Sequence, residues 1–360
     1  MSFIKKLTAA AAAAAMLLSL TACGSNTRIA ANAGSLEIPA GVFIYYEGMS
    51  VSAASSKLPA DADPKTALIE DKTSDQWILD ETDRILKRFA AVENIFAEKG
   101  YELTDEENTS IDSQTDYLWN ASEDAYVKQG IAKSSLRMIV ANSIKEDKVF
   151  SGIYGKGGEK EYPESDMKKW FDDNYAYVEF IAIQLKTSDG TLYKDDQKKN
   201  AKELADSYIT RAATEDFSVL MEEYDTEYKS AYKEANGTDS TETVTTLGLG
   251  TGSGEYANTS LYEKNGTYPS ETFVNAVKNA QTGKAFFIDD SNADVYYVAK
   301  CLKASGNSEF VEKNADSIRY EACSEDFEKD LIAYTDSNGF TKNQAAYSRY
   351  KMGLEDLTAE

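Results

Sequence analysis

The chain has 360 residues, 42% of them hydrophobic and 28% charged, and a formal net charge of −23. That charge excludes nucleic acid as a partner, because binding phosphates needs clustered cations. Histidine is absent, which excludes Ser-His-Asp and Cys-His mechanisms, histidine proton shuttles and His-ligated zinc.

The first element is a leader. Lys5 and Lys6 make a short positive region, and Leu7 to Leu20 an apolar one broken only by Thr8 and Ser19. Thr21-Ala22-Cys23-Gly24 follows. A membrane span needs about 20 apolar residues, so this shorter run ending in small residues reads as a secretion signal. A cysteine directly after the cut is the lipobox arrangement of bacterial lipoproteins. The expectation is removal of residues 1–22, lipidation of Cys23, and anchorage at the extracytoplasmic face of the cell membrane. Each buried CH₂ contributes roughly 0.8 kcal/mol, so more than one acyl chain holds the protein stably. Residues 23–35 are small and polar and read as a tether.

A helical domain is expected over residues 36–160. Pro39 suits a first helical turn, and Val42, Phe43, Ile44, Tyr45 and Tyr46 follow it. Residues 55–65 read as a loop. Asp75 to Lys99 carries Ile78, Ile85, Phe89, Val92 and Phe96 at helical spacing, with Gly100 placed to end it. Thr104 with Glu107 forms a capping box opening a second helix to about Lys128. A third starts near Ser134 and carries Leu136, Ile139, Val140, Ile144 and Phe150.

The glycine-rich stretch 151–164 is a boundary. Beyond it the pattern turns mixed. Asp166 to Asn174 is a short helix, and Tyr177 to Leu185 is a β-branched and aromatic strand. Helices follow at Lys194 to Ala213 and from Glu215. A short strand is expected at Val244 to Leu249, a helix at Ser270 to Ala280, and strands at Ala285 to Ile288 and Val295 to Leu302. Residues 165–304 thus form a β-α-α-β-α-β-β domain. Residues 305–360 are helical again and are expected to pack on the N-terminal domain. The fold class is α+β: a helical domain built from the two ends of the chain, with the mixed domain between them. Cys301 and Cys323 read most simply as buried small apolar residues, with an extracellular disulfide as the alternative. No D-x-[DN]-x-[DN]-G loop occurs, and neither metal nor cofactor is expected.

Several stretches together resemble the PrsA/SurA family of extracytoplasmic foldases, which carry a parvulin-type peptidyl-prolyl isomerase domain between helical chaperone segments. Val178 to Leu185 is similar to the first parvulin strand. Glu215-Asp216-Phe217-Ser218-Val219-Leu220 with Tyr224-Asp225 resembles "DF..LA..YS". Thr246-Leu247-Gly248 resembles "GDLG", Pro269 to Ala276 the "PxxF..A" helix, Gln281 to Lys284 the "L..GE" turn, and Asp294 to Lys300 the closing strand. The tail from Asp326-Phe327 to Tyr350 resembles the family's helical ending.

The sequence departs from the family at the two usual histidines, where Ala182 and Tyr297 stand. The methionine of the proline pocket falls on Pro269. The resemblance implies a pocket lined by Leu247 and Phe273, with polar contacts from Glu227 and Tyr297 as catalytic candidates. Read as residues alone, Phe273 and Leu247 are equally ordinary core, and Glu227 a solvated charge. Prolyl isomerisation breaks no bond and transfers no proton, so losing the histidines leaves the chemistry open. The implied function is a membrane-anchored foldase acting on unfolded or newly secreted polypeptides, by prolyl isomerisation or by holding alone, with a homodimer possible. A solute-binding lipoprotein would need two α/β lobes of repeated strand–helix alternation, which the element order does not show.

Overall fold

A computed structural model describes residues 27–59, 62–63, 66–186, 190–236 and 257–354. Cys23, Leu247 and the strand expected at 244–249 lie outside the described residues. The chain divides into two units, Met1–Gly152 with Glu325–Glu360, and Ile153–Ser324.

In the first unit, β1 (Ile29–Ala33) and β2 (Leu36–Pro39) form an antiparallel hairpin turned at Gly34, whose φ is +59°. β1 also pairs antiparallel with β9 (Phe340–Lys342). Residues expected to be a tether are therefore the centre of a three-stranded sheet. Ala30, Ala31 and Ala33 are buried in it, so what looked like a small-residue linker is a closely packed strand.

Helix α1 (Ala40–Lys57) starts directly after Pro39 and outruns the expected loop start at residue 55. A small hairpin, β3 (Leu68–Ile69) and β4 (Lys72–Thr73), leads into α2 (Ser74–Glu98), where the Thr73 hydroxyl accepts from the Gln76 N–H. The buried stripe of α2 runs through Ile78, Leu86, Phe89, Val92 and Phe96. Leu86 takes the place expected for Ile85, which is half-buried. The capping box of Thr104 and Glu107 opens α3 (Asp105–Gln129). α4 (Lys133–Tyr154) follows. α1 and α4 approach closely, since a Cβ on Gly41 would lie 2.5 Å from the Ser135 hydroxyl oxygen.

The second unit opens with α5 (Glu164–Asn174) and β5 (Tyr175–Gln184), then α6 (Asp195–Arg211) and α7 (Phe217–Asn236). β6 (Ala257–Glu263), α8 (Glu271–Asn279), β7 (Ala285–Asp290) and β8 (Val295–Lys303) complete it. The sheet order is β6-β5-β8-β7, antiparallel throughout. The β5 neighbour is thus found at 257–263. α9 (Ser308–Asn338) gives its first part to this unit and its last to the other. α10 (Gln344–Tyr350) then sets Tyr347 on Phe43, with ring centroids 4.4 Å apart.

Side chains alternate across the pleat, so the sheet has two cores. Ile181, Ile183, Leu185, Tyr296 and Val298 face α6 and α7. Val178, Phe180, Ala182, Tyr297, Ala299 and Cys301 pack with Phe273 and Val277 of α8. Cys301 and Cys323 are both buried and are not joined by a disulfide. Among the described residues, no helix is long and apolar enough to cross a membrane.

Candidate functional site

The α8 side of the sheet gathers two of the expected site residues, Phe273 and Tyr297. α8 is held there at its first turn. The Ser270 hydroxyl accepts the Phe273 N–H at 3.0 Å and donates to Asp290 at the end of β7. One serine thereby caps the helix and ties it to the sheet. The helix then drops Phe273 into the middle of the sheet face.

Phe273 has no exposed surface. Its ring centroid is 4.8 Å from Tyr262, 5.0 Å from Tyr297 and 6.3 Å from Phe180. The contacts with Tyr297 and Phe180 are edge-to-face, the arrangement aromatic quadrupoles favour. Ala182 and Tyr297 are direct partners across β5 and β8, so the two positions that lack histidine meet in space. The small side chain of one leaves room for the large ring of the other. The result is a filled aromatic cluster rather than a slot.

Burial, and secondarily the nearby Asp290 carboxylate, push the Tyr297 hydroxyl well above the ordinary tyrosine range. Burial likewise pushes Tyr262 up to about 12. Tyr297 is therefore neutral near pH 7. It can donate or accept a hydrogen bond but offers no charge to a twisting amide.

Glu227 is placed elsewhere. It is exposed on α7 and lines a cleft of about 410 Å³ with Ile183, Tyr193, Leu204 and Tyr224. Ile183 and Tyr224 belong to the core on the other side of the sheet. Phe273 and Tyr297 are brought together, and Glu227 is separated from them by the sheet itself. Pro269, matched to the pocket methionine, is half-buried just before the Ser270 cap. Residue reasoning missed Tyr262, Ser270 and Asp290. Ser270 and Asp290 read only as helix-start and turn residues, and Tyr262 lay in a stretch with no periodic signal.

The first unit holds a larger open cleft, about 600 Å³, between α1, α2 and α4. Tyr45, Tyr46, Met49, Ile85, Phe89 and Ile139 supply its apolar lining. Met49 is half exposed, at 50%. An Arg88–Glu146 ion pair and Asp147 edge it. Burial, then the adjacent Glu146, hold the Asp147 carboxyl above its ordinary value.

No protein-family model matches the sequence, and no curated protein matches it. Among solved structures the chain is similar to foldase protein PrsA from Streptococcus pneumoniae, with 12% identity and a TM-score of 0.33, over 86% of this chain and 94% of that one. It is similar to the foldase PrsA from Lactococcus lactis, with 12% identity and a TM-score of 0.33, over 90% and 99%. It is also similar to PrsA from Bacillus subtilis, with 15% identity and a TM-score of 0.27, over 77% and 94%. The structural neighbours of this α+β chain are thus PrsA foldase structures.

Proposed function

We propose that this chain is a membrane-anchored extracytoplasmic foldase that holds unfolded, newly secreted polypeptides and does not catalyse prolyl isomerisation. The observation that carries the reading is the closed state of the aromatic cluster. Phe273, the residue matched to the proline pocket, has no exposed surface and is packed by Phe180, Tyr262 and Tyr297. A proline ring has no place there without displacing a buried tyrosine. The polar candidate Glu227 lies across the sheet and cannot assist. The open cleft with Tyr45, Tyr46 and Met49 suits holding instead. Tyrosine gives contact area with a polar tip, and methionine adapts to varied partners.

Anchorage rests on the lipobox at Cys23. It places the protein at the extracytoplasmic face of the membrane, where emerging chains are unfolded. The test is a protease-coupled prolyl isomerisation assay on the full-length chain in detergent. The expected rate equals the uncatalysed one. Acceleration that Tyr297→Phe or Phe273→Leu abolishes, in variants shown to be folded, would replace holding with catalysis. The direct pairing of Ala182 with Tyr297 beside Phe273 is the observation that favours this second reading.

A further inference from the structure

The open cleft of the first unit carries two features beyond its apolar lining. The first is a run of aromatic rings. Phe89 of α2 meets Tyr46 of α1 with centroids 6.0 Å apart, and Tyr46 meets Tyr45 at 5.7 Å. Tyr45 meets Tyr126 of α3 at 6.4 Å, and Tyr126 stacks on Trp119 at 5.9 Å. Phe89, Tyr46 and Tyr45 line the cleft, and Tyr126 and Trp119 continue the run onto α3. The tyrosines and the tryptophan are half-buried, so each keeps surface toward solvent. Side chains on one side of an extended chain recur about every 6.6 Å. The ring spacing therefore matches alternate side chains of an extended segment.

The second feature is a carboxylate with no cation beside it. The two arginines of the cleft are committed, Arg84 to Glu81 and Glu328, and Arg88 to Glu146. The lysines nearest Asp147 on α4 are committed as well: Lys145 is held by Glu93 at 2.5 Å and Lys148 by Glu107 at 2.9 Å. Asp147 lies between them at the rim of the cleft, accessible to solvent and in no ion pair among the described residues. The charged group that acts on it is Glu146, a second carboxylate. The polar rim of an otherwise apolar groove thus carries an uncompensated negative charge.

From the ring spacing and the unmatched charge together we infer that this cleft selects extended client segments in which lysine or arginine alternates with apolar residues. The inference deepens the holding role proposed above and rests on it. The apolar side chains take the tyrosine surfaces and Met49, which is half exposed. The cation takes Asp147, and tyrosine rings in the same cleft add attraction through their π faces. A rim carboxylate discriminates by sign: it draws lysine or arginine and repels glutamate or aspartate. The net charge of −23 acts in the same sense at longer range, but without regard to where on the chain a segment lands.

The experiment uses the full-length chain in detergent and two fluorescein-labelled unstructured peptides of equal length. One alternates Lys with Leu and the other Gln with Leu, and binding is read by anisotropy. Wild type is expected to prefer the Lys-Leu peptide by up to about fivefold at low salt, the range of a solvent-accessible ion pair. Asp147→Asn is expected to remove most of that preference while keeping the melting temperature, because Asp147 has no partner in the fold to lose. Glu37→Gln, which removes an exposed charge on β2 of the same unit, should leave the preference in place. Tyr45→Ala, in protein shown to be folded, should weaken both peptides. A preference that Asp147→Asn leaves intact, or that Glu37→Gln reduces equally, overturns the selection at this cleft and leaves the holding role standing. Equal binding of the two peptides by the wild type does the same. No binding of either peptide by the wild type overturns both.

Discussion

Tyr297 and Cys301 point to the same side of β8, and burial acts on both in one direction. It disfavours the ionised form. The Cys301 thiol is pushed up to about 11 from an ordinary 9.0, chiefly by desolvation and slightly opposed by Lys264. An acid whose pKa rises on folding is held neutral by the fold. The stability this represents is complete below pH 9.0 and is lost as the pH climbs through about 11. Tyr262, pushed up to about 12, carries the loss further. The guanidinium midpoint of the central unit is therefore expected to be flat through neutral pH and to fall steadily in the alkaline range. Cys301→Ala should remove the early part of that fall. A midpoint insensitive to alkali up to about pH 11 would contradict the burial of these groups. At Phe273, truncation to alanine is expected to cost about 3–5 kcal/mol, because it empties the centre of the aromatic cluster. Denaturant titration checks this. A cost below about 1 kcal/mol would mean that the ring sits in a pocket rather than in a core.

Elements differ in how plainly the sequence announced them. α2, α3 and α4 were legible because their signals are short-range: an apolar face repeating every three to four residues, and a cap whose partners lie three residues apart. β5 was legible as a continuous β-branched and aromatic run, because both of its faces are buried. β1 was not. Its Ile-Ala-Ala-Asn-Ala has little intrinsic strand preference, and its partner β9 lies some three hundred residues away. Only that pairing makes it a strand. β6 was missed for a similar reason: Ala-Asn-Thr-Ser-Leu-Tyr-Glu is polar and takes its place from the β5 ladder. Of the site, the pairing of Tyr297 with Ala182 follows from strand register. The separation of Glu227 follows from the side of the sheet on which α7 packs, which no spacing within α7 encodes. Two substitutions test the element-level packing. Gly41→Ala drives a methyl into Ser135 and is expected to cost about 1–3 kcal/mol in thermal unfolding. Thr104→Ala removes one half of the capping box and should cost about 1 kcal/mol. A neutral Gly41→Ala would mean that α1 and α4 do not meet as described.

At the scale of the whole molecule, the first unit depends on both ends of the chain. β9 completes the sheet at β1, and Lys342 and the Tyr347 hydroxyl both bond to Asp83 of α2, the latter at 2.9 Å. Ending the chain after Gly339 removes these partners and leaves the β1 edge and the Asp83 carboxylate unmatched. The expected outcome is a first unit that unfolds early, read as rapid limited proteolysis within residues 27–152, while fragments from 153–324 persist. Equal resistance of both units would show that the C-terminal strand is dispensable. Replacing Cys23 with serine is expected to move the protein from the membrane to the soluble fraction of cells. The measurement closest to the proposed role is light scattering from a chemically unfolded client diluted into buffer with the full-length chain. The expected result is suppression that grows with the molar ratio and is complete near stoichiometric amounts, without faster recovery of proline-limited folding. Unchanged aggregation in the presence of folded protein would contradict the holding role.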